Sequence, residues 1–369
     1  MAFDPRSIAV YSVGLLGGSI GAGLKASGYT GRIIGLSSPA SIGVALSMGI
    51  IDEGVGYDRL AEAVSRVDCI FLCSPIGVII DTLKALSEMR LPEDLVITDV
   101  GSTKSEIVSL AHCLLPPSVE FIGGHPMAGS EKSGVGASDP FLFQNAMYLL
   151  TPPKGAPGKR CGDFAAFLER FLGCRTMIVD PEEHDAIVAA VSHVPHILSV
   201  ALVNLARSVE ASRPGTLKLA AGGFRDMTRI ASAPYSLWRD ILMTNKNAIR
   251  PTLDAYIAIL QKMQSGLASD ALEADFEAAA QTRREIPAGN KGFIRPQSEI
   301  LVVAKDQPGI IAELSGALAR ERINIKDIEV LKVREGEAGT IRLAFESKEL
   351  ARRAVSILSA VGFTARERD

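Results

Sequence analysis

SVGLLGGSIGAGL, residues 12–24, decides how this chain is read. It follows directly on the apolar run SIAVYS (7–12), so a short strand feeds a glycine-rich turn and then a helix-compatible pattern. Gly14 and Gly17 occupy the second and third positions of a G-x-G-x-x-G dinucleotide fingerprint, and Ser12 stands at the first. The spacing has a physical reason. The bare backbone at Gly14 lets N–H groups approach a pyrophosphate at a helix N-terminus, and the bare backbone at Gly17 lets helix and strand pack closely. A degenerate fingerprint is also what an ordinary tight turn produces, and its place between a strand and a helix is what favours a nucleotide site.

Outward from that turn, the short runs RIIGL (32–36), VDCIFLCSP (67–75), LVITDVGS (95–102) and VEFIGGHP (119–126) alternate with helical patterns to about residue 150. This is the signature of a parallel sheet with crossover helices, an α/β Rossmann-like dinucleotide-binding domain. TPPKGAPGK (151–159) interrupts the pattern and RTMIVD (175–180) adds a further strand, so the first domain is expected over residues 1–180. From Glu182 to about Glu285 strand signal almost vanishes, and stretches such as HDAIVAAVSHVPHILSVALVNLA (184–206) carry Ala, Leu and Ile at helical spacing. An all-helical domain over 181–290 is expected, with more than one apolar stripe per helix, which calls for burial against a second copy and hence a homodimer. After the Pro/Gly-rich connector IPAGNKGFIRP (286–296), EILVVAK, GIIAELSGALARER, INIKDIEVLKV, TIRLAFE, KELARRAVSILSAV and FTARE read as a small βαββαβ, ferredoxin-like domain over 297–369.

The bulk composition excludes several function classes. Hydrophobic residues make up 47% and charged ones 22%, as in soluble globular chains, and a formal charge of −3 lacks the basic excess that phosphate-backbone binding requires. The expected partner is a small molecule and not a nucleic acid. Five cysteines, an odd number without a C-x-x-C pair, suggest neither a disulfide framework nor a thiolate metal site. No signal-peptide pattern opens the chain and no apolar run approaches the roughly 18 residues of a membrane span, so the cytoplasm is the expected compartment.

The chemistry concentrates in a few loops. At the end of the second strand, where a carboxylate would bind the adenosine ribose of NAD, stand Leu36, Ser37 and Ser38, with no arginine close behind for a 2′-phosphate. NADP is therefore not excluded and NAD is favoured. DVGSTKSE (99–106) and GGHPMAGSEKSGV (123–135) end consecutive strands, so Ser102 and His125 face one crevice near the nicotinamide. A lone histidine is more often structural, but one set between Gly-Gly and Pro at a strand end lies on a loop that must pass close to a ligand. SHVPH (192–196) offers His193 and His196, a pair without the further ligands a metal needs and so read as a substrate contact. AAGGFRDMTRIASAPYSLWRD (220–240) holds Arg225, Asp226, Arg229 and Trp238. Two arginines beside an aspartate read as a carboxylate clamp, and the bland alternative is a surface salt bridge.

Taken together, VGLLGGS, DVGSTK, GGHPMAGSEKSGV, SHVPH, GGFRDMTR with the following Trp238, and REIPAGNKG resemble the prephenate dehydrogenase family over roughly the first 290 residues. DQPGIIAEL (306–314) and RINIKDIEV (322–330) make the C-terminal unit similar to an ACT domain, and the plainer alternative is any ferredoxin-like module. The resemblance implies oxidative decarboxylation of prephenate to 4-hydroxyphenylpyruvate with hydride transfer to the nicotinamide, on the route to tyrosine. It implies catalytic His125 and Ser102, with substrate contacts from Ser130, His196, Arg225, Arg229 and Trp238. Gly14, Leu15, Leu16, Gly17, Ser37, Ser74 and Pro75 would bind the cofactor. Asp306, Gly309 and Asn324 would bind an amino-acid effector, with tyrosine the natural candidate. Arogenate dehydrogenase is the close alternative, with Arg225 and Glu131 as the residues that could decide it. A non-catalytic nucleotide and amino-acid sensor is the alternative from another class, which Ser102, His125, His196 and Arg229 argue against.

Overall fold

The computed structural model describes residues 3–129, 132–153, 160–286, 298–305, 307–332 and 338–368. The chain forms two compact units, Met1–Leu272 and Glu273–Asp369.

In the first unit the strands are β1 (Ser7–Tyr11), β2 (Arg32–Leu36), β3 (Glu53–Val55), β4 (Cys69–Leu72), β5 (Val96–Asp99), β6 (Glu120–Pro126), β7 (Met147–Thr151) and β8 (Arg175–Ile178). They lie in the order β3-β2-β1-β4-β5-β6-β7-β8. The pairs from β3 through β6 are parallel, β7 runs antiparallel to β6, and β8 is parallel to β7. The run of parallel strands with β1 beside β4 is the doubly wound arrangement expected from the alternating runs, and the reversal of strand order between β1 and β4 opens the crevice where such folds bind ligands. RTMIVD joins the sheet as β8. The apolar runs do not mark β3, which is only three residues long and contains Gly54, or β7. Helices cover both faces, giving one core around Ile8, Val10, Ile20 and Phe164 and another around Ile34, Leu72, Ile79 and Ile97. Being covered on both sides is why these strands read as continuous apolar runs.

Beyond β8 the unit is helical: Pro181–Val188, a π-helical turn Ala189–His193, Val194–Ser212, Gly222–Thr228, Tyr235–Thr244 and Lys246–Gly266. The π turn sits immediately ahead of Pro195, which has no N–H to give and crowds the preceding turn of an otherwise continuous helix. Within Val194–Ser212 only Val194, His196 and Ser199 are buried, while Val191 is 64%, Leu205 61%, Met227 68% and Leu267 75% exposed. The segment therefore has almost no core of its own, as the several apolar stripes require. One expectation needs correction: the helical run Pro181–Ser212 is long and apolar enough by length and composition to cross a membrane, with a mean hydropathy of 2.0 over its 18-residue window. Its polar interruptions, His193, His196 and Ser199, face inward to buried positions of this unit.

The second unit carries β9 (Ser298–Lys305), β10 (Asp327–Lys332), β11 (Ala338–Phe345) and β12 (Thr364–Glu367) in the order β10-β11-β9-β12, all pairs antiparallel. Helices Ile310–Arg320 and Lys348–Ala360 close one face around Ile300, Leu314, Leu343, Phe345 and Leu358. The βαββαβ order is as expected, although β10 starts at Asp327 and the preceding 323–326 stretch is not strand.

Candidate active site

At the first crossover, Ser12 adopts φ +73, the left-handed conformation that explains why glycine is usual at this position. A Cβ on Gly17 would meet the Ser12 carbonyl oxygen at 2.4 Å and Val10 Cγ1 at 2.9 Å, so only glycine lets helix Leu15–Ala26 lie against β1. A Cβ on Gly14 would meet nothing within 4 Å. The space in front of Gly14 is thus open, and the helix start carries neither a side-chain cap nor an acidic residue in its first turn, which leaves its N–H groups for an anion. Leu15 and Leu16 open that helix. Ser74, buried on the loop after β4, has a hydroxyl with no partner among the described residues, and Pro75 caps helix Ile76–Ser87. These observations fit a dinucleotide.

Ser37 is buried, its hydroxyl 3.5 Å from the Tyr57 hydroxyl, and Ser38 is occupied in capping helix Pro39–Ser47. Tyr57 also lines a cleft of about 330 Å³ with Tyr11, Asp58, Val78 and Asp81. That cleft has two carboxylates and no basic lining residue, while the nearby Arg59 is paired to Glu62 through both Nε and a terminal nitrogen.

At the carboxyl ends of β5 and β6 a buried ion pair ties the two catalytic candidates together. Asp99 accepts from the Gly101 N–H at 2.8 Å and the Gly124 N–H at 3.0 Å and pairs with the fully buried Lys104, whose Nζ also donates to the Gly124 carbonyl at 2.8 Å. Ser102 lies inside this knot and His125 directly after it, so both project from a backbone held by charge-assisted hydrogen bonds.

His125 Nδ1 is 2.9 Å from His184 Nε2, and His184 Nδ1 is 2.8 Å from an Asp185 oxygen. Asp185 also accepts the backbone N–H of Lys104 at 2.7 Å and of Ser105 at 2.9 Å, which caps helix Ser105–Leu114. Those hydrogen bonds, with His184, outweigh its burial and hold the carboxyl below its ordinary range. Burial first, then His184, Lys104 and His193, pushes the His125 imidazole well below 6.5, so it is neutral at pH 7 and able to accept a proton.

His196 is buried and stacks on Trp238, ring centroids 3.6 Å apart and planes 10° apart. His193 departs from expectation. It is 1% exposed, meets Trp238 edge-on, and takes a hydrogen bond from the Asn245 amide, which also donates to the Asp185 carbonyl, so it is structural and not a substrate contact. Helix Tyr235–Thr244, which carries Trp238, reaches back to the nucleotide domain: Asp240 accepts the Gly77 N–H at 2.9 Å, and the hydroxyls of Thr244 and Thr103 lie 2.8 Å apart. Arg225 and Arg229 are exposed on Gly222–Thr228 and the turn Arg229–Ser232. Gly309 takes φ +91 ahead of helix Ile310–Arg320, and Asn324 is exposed. Ser130, Glu131 and Asp306 lie outside the described residues.

Sequence reasoning missed His184, Asp185, Lys104 and Asn245. PEEHD (181–185) offered a signal in its adjacent His and Asp, but it reads as the acidic first turn of a helix, and Lys104 reads as a solvated charge.

A doubly wound sheet with an open glycine turn at its first crossover and a neutral, partly buried histidine at its carboxyl edge defines a nicotinamide-dependent dehydrogenase. Family models for the prephenate dehydrogenase nucleotide-binding domain, the prephenate dehydrogenase dimerization domain and the ACT domain match residues 20–176, 180–281 and 298–353. Prephenate dehydrogenase of Bacillus subtilis is 36% identical over 358 residues, 96% of each chain. A solved prephenate dehydrogenase from A. aeolicus, in complex with hydroxyphenyl propionate and NAD+, is 33% identical with a TM-score of 0.70 and covers 76% of this chain and 98% of its own. An arogenate dehydrogenase from Synechocystis gives 29% and 0.65, covering 75% and 97%. The chain belongs to the prephenate dehydrogenase family.

Proposed function

We propose that this enzyme converts prephenate and NAD to 4-hydroxyphenylpyruvate, CO2 and NADH, with His125 as the general base. The observation that carries the reading is His125 itself: a neutral imidazole at the carboxyl end of β6, held through Nδ1 so that Nε2 is the nitrogen without a partner among the described residues. When bound, NAD supplies the hydride acceptor. Gly14, Leu15, Leu16 and Gly17 would hold its pyrophosphate, Ser74 and Pro75 the adjoining segment, and Ser37 the adenosine ribose. The acidic cleft by Tyr57 supports NAD over NADP, because a 2′-phosphate there would meet Asp58 or Asp81 without a compensating cation.

His125 Nε2 takes the ring hydroxyl proton as hydride leaves the substrate, and returns it to the oxygen after CO2 departs and the ring becomes aromatic, so no net proton is released. Ser102 orients that hydroxyl. His196, on its Trp238 stack, lines the ring pocket, and Ser130 would be a further substrate contact. Arg229 binds a substrate carboxylate, and Arg225 serves the same pocket or a second copy's. The exposed apolar helices support a homodimer, and their match to a dimerization domain points the same way. Residues 1–180 would carry the cofactor, 181–290 the substrate wall and dimer contact, and 297–369 an amino-acid effector, tyrosine, through Asp306, Gly309 and Asn324. The free thiols, Cys69, Cys161 and Cys174 among them buried, support a cytoplasmic setting.

The test is a turnover assay crossing prephenate and arogenate with NAD and NADP, on the native enzyme and His125→Asn. Prephenate with NAD should give the highest kcat/KM, and the variant should lose at least about a hundredfold in kcat while binding both ligands. Preference for arogenate would transfer the assignment to that substrate. Absent turnover with tyrosine binding retained would favour the sensor.

A further inference from the structure

The structure assigns His184 and Asp185 as positioning residues that fix which nitrogen of His125 is free to accept the substrate proton, an inference that rests on His125 being the base.

The direction of the chain follows from hydrogen-bond arithmetic. Backbone N–H groups can only donate, and Asp185 accepts one on each oxygen, from Lys104 at 2.7 Å and from Ser105 at 2.9 Å. A carboxyl so engaged is an acceptor throughout, so the 2.8 Å contact with His184 must use an Nδ1–H donor on the imidazole. In the neutral ring, Nε2 of His184 then carries the lone pair. Its 2.9 Å contact with His125 requires His125 to donate from Nδ1, which leaves His125 Nε2 unprotonated. His184 is 0% exposed and Asp185 3%, so no water competes for these bonds.

The same chain supports the charge that forms. As the substrate O–H breaks and the His125 Nε2–H bond forms, positive charge develops on an imidazole whose other neighbours, Lys104 and His193, oppose it. Lys104 is neutralised by Asp99, and His193 is neutral in its bond with Asn245. Asp185 is the anion that reaches His125 through a continuous hydrogen-bonded path, and breaking that Nε2–H bond when the product oxygen takes its proton restores the starting arrangement. The π turn and helix Pro181–Val188 hold His184 opposite β6.

The test uses full-length enzyme. Asp185→Asn removes the anion and leaves an amide NH2 facing one of the donors that Asp185 accepts, the Lys104 N–H and His184 Nδ1–H on one oxygen or the Ser105 N–H on the other. His184→Phe deletes the acceptor, and His184→Gln restores one through its carbonyl oxygen. We expect kcat to fall at least about a hundredfold in Asp185→Asn and His184→Phe and to recover at least tenfold in His184→Gln, with KM for prephenate and Kd for NAD within threefold of native. In native enzyme labelled with 15N-histidine, the His125 signal, assigned by its loss in His125→Asn, should show the Nδ1–H tautomer. A native Nε2–H tautomer overturns the proposal even if the variants fold poorly, as does unchanged kcat in His184→Phe. Retained kcat in His125→Asn instead removes the base assignment on which it rests, so the two failures are distinguishable.

Discussion

Ser12 illustrates how much of this site is settled by single backbone conformations. A non-glycine residue at φ +73 costs about 1–2 kcal/mol, while a glycine there would give back about 0.5–1 kcal/mol through its freer unfolded chain. Ser12→Gly is therefore expected to raise stability by up to about 1 kcal/mol, read as a Tm increase of about 1–3 °C, with NAD affinity unchanged within twofold. A fall in Tm would show that the Ser12 side chain has a stabilising contact of its own. Gly17→Ala works the other way. The added methyl must push against the Ser12 carbonyl and Val10, so NAD affinity by titration should drop at least about tenfold and Tm should fall with it. The fingerprint glycines were legible in the sequence because their demand is local. The roles of His193 and His184 were not, since a histidine's function depends on which neighbours the fold brings, and the neighbours here are Asn245 and His125, 52 and 59 residues away.

At the level of elements, the helices after residue 180 carry the clearest unpaid surface. Val191 and Leu205 on the long apolar run are each more than 60% exposed, although a fully buried side chain of this size contributes about 1.5–3 kcal/mol. If two copies bury this face, Leu205→Glu should place a charge in the contact and yield monomer by size-exclusion chromatography with light scattering, with circular dichroism unchanged. An unchanged dimer would place the contact elsewhere. The periodicity of residues 184–206 made these helices legible, and their several apolar stripes announced a missing partner. The π turn before Pro195 was not legible, because a proline inside a helical pattern can equally end it.

For the molecule as a whole, acid stability follows from the buried imidazoles. His193 falls from 6.5 to about 4, held down by burial and, against the pull of Asp185, by His184 and His196; His125 and His196 shift in the same direction. Below pH 6.5 the unfolded chain takes up protons that the native state refuses, so stability is full above 6.5 and is lost as pH falls toward 4. His193 alone accounts for roughly 3 kcal/mol of that loss. The urea midpoint should fall steadily between pH 7 and 4.5, and a flat profile would mean these rings open to water before they charge. The second unit has its own core, so removing residues from 297 onward should leave prephenate turnover intact and abolish inhibition by tyrosine. Surviving inhibition would locate the effector in the active site. The sequence by itself determined the doubly wound sheet, the helical segment, the βαββαβ unit, the glycine turn and the place of His125 at a strand end, because periodicity, turn chemistry and motif spacing are properties of neighbours along the chain. Only the tertiary structure decided that Asp99 and Lys104 lock the two catalytic loops, that His184 and Asp185 set the tautomer of His125, and that His193 is a strut. Burial and hydrogen-bond direction arise between residues distant in sequence, and they determine which protonation state a titratable group can adopt.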